Sequence, residues 1–335
     1  MKKRANEIRR VISGARTFLI ITHVRPDGDA ISSSIAMYLF LTSIGKSKEN
    51  IDVFIPNSSN DLKFIDSKKV IKTKLEERKY DVAIVVDCSN YVRTEGFNYT
   101  NFAEKTIVID HHEALNFKID TKYALLDPKA ASCTCILFRE FKNCVSKINM
   151  MDFLRCITIG ILSDTIGLTI NVTEESKSIL EYNEKNEIDI SKVKKELLEV
   201  DERTKELIEL AFKRYSKKKG ISCTYIMQGD LKDDEKDLKL INHKSIIEKV
   251  MHEKKCETLI LLMENDQKQF KGSIRTTLEN VKLNEICNEM IKKNLFLQGG
   301  GHDNSVGFKV RIENLNIKES AESTFNLVIN AILNN

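Results

Sequence analysis

The 335-residue sequence has no tryptophan, no Cys-x-x-Cys pair and no apolar run near the ~18 residues of a membrane span. A transmembrane helix is therefore not expected. The basic amino-terminal stretch leads into an apolar run too short for a signal peptide, and it lacks a small-residue cleavage site. The cysteines (Cys88, Cys133, Cys135, Cys144, Cys156, Cys223, Cys256 and Cys287) make no regular framework. That pattern argues against a disulfide scaffold and for reduced thiols acting as small hydrophobes. Cys133 and Cys135 have no second pair with which to complete a four-ligand zinc site. A cytoplasmic protein is expected. An excess of one charge is also missing. With 53 basic and 49 acidic residues, net charge is only +4, so any contact with nucleic acid needs a local site. The phenylalanines and tyrosines are scattered, without the paired spacing of a sequence-reading RNA module. Internal repeats and low-complexity stretches are absent.

What is present is an ordinary globular composition, 41% apolar and 30% charged, at a length that suggests two domains. Short buried runs at 17–22, 51–55, 82–86 and 106–109 alternate with helical stretches such as 30–41. This alternation predicts an α/β half, with a parallel sheet and helices on both faces. From 190 to 219 the composition turns to Lys, Glu and Leu, which predicts one or two amphipathic connecting helices ending at Gly220. The lysine run at 216–219 reads as a solvated helix end. Beyond it, strands near 221–227, 258–263, 270–276 and 306–312 and helices near 243–254 and 283–293 predict a smaller mixed α+β domain. A glycine loop is expected at 299–301.

The chemistry-bearing residues gather after the strands of the first half. His23, Asp27 and Asp29 lie in H-x-x-P-D-x-D, which puts one imidazole and two carboxylates on a tight turn. Asp is also a common helix N-cap, so a plain capping turn competes with a ligand reading. Asp87 closes the run AIVVD, and Asp110, His111 and His112 close VIDHH. Adjacent imidazoles after a buried strand are unusual as packing residues, because both ring edges need partners. Asp164 lies in GILSDT after an apolar segment, where capping chemistry is again the competing reading. Taken together, these carboxylates and imidazoles at strand ends have one economical explanation, a site for two divalent cations sharing a bridging carboxylate. Oxygen-rich ligation with some imidazole suits Mn²⁺. Paired ions of this kind serve in-line displacement at phosphorus.

HVRPDGDA at 23–30, VVDC at 85–88, VIDHH at 108–112 and GILSDT at 160–165 resemble the DHH phosphoesterase superfamily. GGGHDNSVGF at 299–308 resembles the glycine-histidine motif of the DHH-associated carboxyl-terminal domain. In size and motif order the chain is most similar to the bifunctional nanoRNase (oligoribonuclease) and pAp phosphatase subfamily. The resemblance implies a DHH catalytic domain at 1–188, a helical linker at 189–219 and a substrate-binding domain at 220–335. It implies one Mn²⁺ on His23, Asp27 and Asp87, and a second on Asp29, Asp87, His111 and Asp164, with Asp87 bridging. His112 would face the scissile phosphate, and Asp110 would hold a neighbouring imidazole. Asn116 fits the family's spacing after the histidine pair. Gly299, Gly300, Gly301, His302, Arg275 and Arg93 would grip the nucleotide.

The implied substrates are short RNA oligonucleotides and pAp (adenosine 3′,5′-bisphosphate), hydrolysed by two-metal activation of water. The alternative is cyclic di-AMP or its linear product pApA. A different class is a non-catalytic RNA- or nucleotide-binding protein, against which the complete ligand set argues. No membrane partner is expected, and a homodimer is the family expectation. The sequence departs from the family pattern at Ile166, where glycine commonly follows the Asp-Thr pair. It departs again at Cys135 and Ile136, where an acidic residue is usual, and at Ser305 and Val306, where small alanines are common.

Overall fold

The computed structural model describes all residues except 1, 25, 57–64, 67–68, 76–77, 95–101, 113–118, 201, 232–240, 242, 266, 279, 313–315 and 335. Asn116 lies outside the described residues. Two compact units divide the chain, Met1–Glu199 and Val200–Asn335. Among the described residues no helix is long and apolar enough to cross a membrane.

The first unit is built on six strands, β1 (Phe18–Ile21), β2 (Ile51–Phe54), β3 (Ile71–Lys72), β4 (Tyr80–Val86), β5 (Ala103–Asp110) and β6 (Tyr123–Leu126). They form one sheet in the order β3-β2-β1-β4-β5-β6, and every pairing is parallel. The helices are α1 (Lys2–Gly14), α2 (Gly28–Ser43), α3 (Cys133–Phe141), α4 (Lys147–Asp164), α5 (Glu174–Lys185) and α6 (Ile190–Leu198). The central strands are buried on both faces, as their unbroken apolar runs require. Phe18, Ile20, Val82, Ile84, Ile107 and Ile109 enter a large core to which all six helices contribute. Their sequence neighbours Leu19, Ile21, Ala83, Val85 and Val108 enter a smaller core on the other face. Among the described residues that second core contains no helical residue, so the expected helices on both faces are seen on one.

Strand order fixes where a ligand can enter. The chain winds outward from β1 through β2 to β3, and from β4 through β5 to β6. The loops after β1 and β4 therefore diverge, and the crevice at such a switch point is the usual binding place in open α/β sheets.

The second unit begins with α7 (Glu202–Lys213) and continues through β7 (Ser216–Lys218), β8 (Ile221–Ile226), α8 (His243–Lys254), β9 (Thr258–Glu264) and β10 (Gln269–Thr276). It ends with α9 (Leu283–Lys292), β11 (Gln298–His302), β12 (Ser305–Arg311) and α10 (Ile317–Leu333). Its sheet runs β11-β12-β10-β9-β8-β7, antiparallel except for β8 with β9. Helices α7 and α8 pack with Leu259, Leu261 and Met263 on one face. Helices α9 and α10 pack with Ile260, Leu262 and Ile274 on the other.

Several boundaries differ from the sequence reading. The stretch 189–219 is not a connector of its own, since α6 belongs to the first unit and α7 to the second. Helix α7 stops at Lys213, and the lysine run is strand β7, paired with β8 across a turn at Lys219 and Gly220. Both turn residues have positive φ (48° and 87°), which suits a two-residue hairpin. The glycines expected in a loop instead form edge strand β11. Strands β3 and β6 and helices α1 and α10 are additional to the sequence reading.

Candidate metal centre

Strands β1, β4 and β5 deliver the site. After β1 the chain passes His23 and reaches Asp27, whose Oδ1 accepts the amides of Asp29 and Ala30 at 3.1 Å each and caps α2. The capping and ligand readings of this turn therefore coexist. His23, Asp27 and Asp87 have donor atoms within 4.8 Å of one another. So do Asp29, Asp87 and His111, and so do Asp87, Asp110 and His112. Asp87 is common to all three groups. It ends β4 in the left-handed region (φ 54°), a conformation that Asp tolerates better than most residues, with its amide donated to Ile109 O.

The imidazoles are oriented by their second nitrogens. His111 Nδ1 lies 3.2 Å from Ala130 O, which turns Nε2 toward Asp164 Oδ2 at 3.0 Å, Asp87 Oδ1 at 3.4 Å and Asp29 Oδ2 at 4.0 Å. A carbonyl partner of this kind fixes the tautomer of a metal-binding histidine. His112 Nδ1 lies 2.8 Å from Asp110 Oδ1, which also accepts the His112 amide. His23 Nε2 lies 3.4 Å from Asp87 Oδ2. Asp164 closes the group from the last residue of helix α4, not from a strand end. The Ile166 departure falls two residues later, on a backbone with φ 47°, where a glycine would be at ease.

The electrostatics of the bare protein are strained in opposite directions. Burial, Asp164 and Asp87 together raise the Asp29 carboxyl well above its ordinary range. Burial also pushes Asp87 up, but the imidazoles of His111 and His23 beside it outweigh that and hold the carboxyl well below the usual value. For His111 burial pushes downward, and the carboxylates of Asp164 and Asp87 overcome it to raise the imidazole well above normal. Burial likewise opposes the ionisation of Asp110, and the bond to His112 reverses the balance so that its carboxyl is lowered. Crowded carboxylates of this kind call for a cation. Asp87 Oδ1 is buried and accepts no hydrogen bond among the described residues, although two imidazole nitrogens lie 3.4 Å away. That unmet acceptor, in a set of carboxylate oxygens and imidazole nitrogens, fits a divalent ion.

Arg93 is exposed, and its backbone carbonyl accepts Val24 N at 2.9 Å, which anchors the loop after His23. In the second unit His302 pairs with Ser305, and Ser305 with Arg275, so the three occupy one row across β11, β12 and β10. Directly opposed residues project to the same sheet face. The glycines are not equivalent. A Cβ on Gly299 would meet Cys287 Sγ at 2.5 Å, and one on Gly301 would meet Ser305 O at 2.1 Å. These two are required by packing, whereas a Cβ on Gly300 would meet nothing within 4 Å among the described residues.

The sequence reading gave Gly160 no role, yet a Cβ there would lie 2.3 Å from Asp29 Oδ1. A glycine inside an apolar helical run was the available signal.

Parts of the chain are similar to known proteins. A probable manganese-dependent inorganic pyrophosphatase from Streptococcus agalactiae is 28% identical over 167 residues, 47% of this chain and 51% of the relative. The chain thus spans about half the length of the curated relatives it matches. An exopolyphosphatase-related protein from Bacteroides fragilis shares the fold, with a TM-score of 0.76 at 22% identity over 98% of this chain and 96% of that one. RecJ from Thermus thermophilus, in complex with Mn²⁺, has a TM-score of 0.51 at 11% identity over 98% of this chain and 53% of that one. The family model described as "DHH family, N-terminal domain" matches residues 17–161, a segment that holds every clustered carboxylate and imidazole of the first unit but Asp164.

Proposed function

We propose that the protein is a Mn²⁺-dependent phosphohydrolase acting on short RNA oligonucleotides and on pAp. The observation that carries this reading is the convergence of three donor groups on Asp87. One ion would be held by His23, Asp27 and Asp87, and a second by Asp29, Asp87, His111 and Asp164. Such a pair supplies an activated water and offsets negative charge on phosphoryl oxygens. The chain's own residues do the rest. Asp87 sits between the two donor sets and sets their separation. His112 reaches solvent, 25% exposed against 11% or less for His111, Asp87, Asp110, His23 and Asp164. Its Nδ1 is engaged by Asp110, which fixes the ring's orientation beside the donor sets, where an imidazole suits a phosphoryl oxygen. Donors fixed before the reaction stabilise developing charge without a reorganisation cost. The row of Arg275, Ser305 and His302, with the open flank of Gly300, supplies a guanidinium and an imidazole suited to phosphate.

The test is product release under Mn²⁺ from pAp, a five-nucleotide RNA, pApA, cyclic di-AMP and pyrophosphate, with Asp87→Asn as control. AMP released from pAp and from the RNA, and lost at least ~100-fold in the variant, is the expected result. Turnover confined to cyclic di-AMP and pApA, or to pyrophosphate, would replace the substrate assignment. No turnover of any substrate would overturn the hydrolase reading.

A further inference from the structure

Asp29 differs from the other clustered carboxylates in what holds it. It is fully buried on the first turn of α2, and both of its oxygens point at the start of another helix. Oδ2 accepts Cys133 N at 2.6 Å, and Oδ1 accepts Thr134 N at 3.2 Å. Those amides are the first two of α3, which is capped by Ser132. Helix α4 closes the seat from the side. At Gly160 a single added carbon would lie 2.3 Å from Asp29 Oδ1, 2.3 Å from Thr134 Oγ1 and 2.5 Å from Thr134 Cγ2. A carboxylate with both oxygens so engaged cannot swing, and its outward lone pairs on Oδ2 face His111 Nε2 at 4.0 Å.

We infer that the amino-terminal amides of α3 and the bare backbone of Gly160 are the positioning elements of the second metal subsite, acting through Asp29. The inference rests on the metal-centre reading above and deepens it. The first subsite has its own support, because Asp27 is set by its capping bonds to α2. Disturbing the α3 seat should therefore remove one ion and spare the other.

The substitution Cys133→Pro deletes the amide that donates to Asp29 Oδ2. Proline is favoured at the first position of a helix, and Ser132 before it is already extended (φ −159°, ψ 162°). A second variant, Gly160→Ala with Thr134→Ala, clears the Thr134 overlap and leaves Asp29 Oδ1 as the atom in the way. Thr134→Ala alone keeps its amide and is the control.

Each full-length, metal-free protein would be titrated with Mn²⁺, counting bound ions by loss of the free-ion paramagnetic resonance signal. Circular dichroism would confirm the fold. Wild type and Thr134→Ala should bind two ions. Cys133→Pro and the double variant should keep one ion at wild-type affinity and bind the other ~10–100-fold more weakly, the usual effect of losing a ligand's support. Two ions bound normally by either folded seat variant would overturn the inference. So would loss of an ion in Thr134→Ala, which would make the threonine side chain the support. Absence of Mn²⁺ binding by the wild type would instead overturn the metal-centre reading. Should Cys133→Pro fail to fold, the double variant decides.

Discussion

As the proposed bridging ligand, Asp87 carries two demands at once, a ligand's charge and a left-handed backbone. Asn satisfies the second and abolishes the first, which makes it the informative substitution. Ala would add about 1–2 kcal/mol of backbone strain to the loss of charge, so a dead Asp87→Ala protein could be misfolded rather than unmetallated. Ile166 poses the same backbone problem without a ligand's purpose. It is β-branched at φ 47°. We expect Ile166→Gly to stabilise the metal-free protein by about 1 kcal/mol, measured by urea unfolding, since relief of the clash exceeds glycine's added entropy cost. Equal or lower stability would mean that neighbouring packing already offsets the strain of that turn. Asp52 makes a pH-dependent prediction. It is buried on β2 and bonded to Tyr80 Oη at 2.6 Å, Arg78 at 3.0 Å and Lys72. Burial pushes its carboxyl up, but the Lys72 and Tyr80 bonds prevail and lower it below 3.8. A carboxyl depressed in the folded state stabilises above its unfolded value and loses that contribution as pH falls through the folded one. Asp52→Asn should therefore cost on the order of 1–3 kcal/mol at pH 7, and the deficit should shrink below the ordinary value of 3.8. A deficit independent of pH would assign the effect to packing.

At the scale of elements, the helices come close because residues without side chains lie between them. A Cβ on Gly28 would meet Ser163 Oγ at 2.6 Å, and Gly160 leaves the matching space for Asp29. Together they bring the start of α2 against the end of α4, which is how Asp29 and Asp164 come to share His111. The strands that carry the site were legible in the sequence because their apolar runs are short, β-branched and ended by charge. Asp87 and the Asp110-His111-His112 triplet follow directly from that pattern. What was not legible depends on contacts distant in the chain. Nothing local tells that α3 begins beneath Asp29, or that residues 216–218 turn back as a strand once Lys219 and Gly220 adopt positive φ. Strand β3 is two residues long, too short to register as a period. Asp164 was expected in a turn at a strand end, whereas the apolar run before it is a helix of 18 residues.

For the whole molecule, the clustered donors Asp27, Asp29, Asp87, His23, His111 and Asp164 all belong to Met1–Glu199, and each unit has cores of its own. Mn²⁺ should accordingly stabilise the first unit, by about 2.7 kcal/mol at 100 times the dissociation constant. Scanning calorimetry with and without Mn²⁺ would show one transition moving and the other fixed. A single transition moving as a whole would mean that the units unfold together. The short lysine-bearing strand β7 has a different consequence, for the protein's behaviour in a crowded solution. A sheet margin is a template on which another chain can pair, and short, charged margins discourage such pairing. With Lys217 and Lys218 on a three-residue rim, the second unit is guarded on that side against edge-to-edge aggregation.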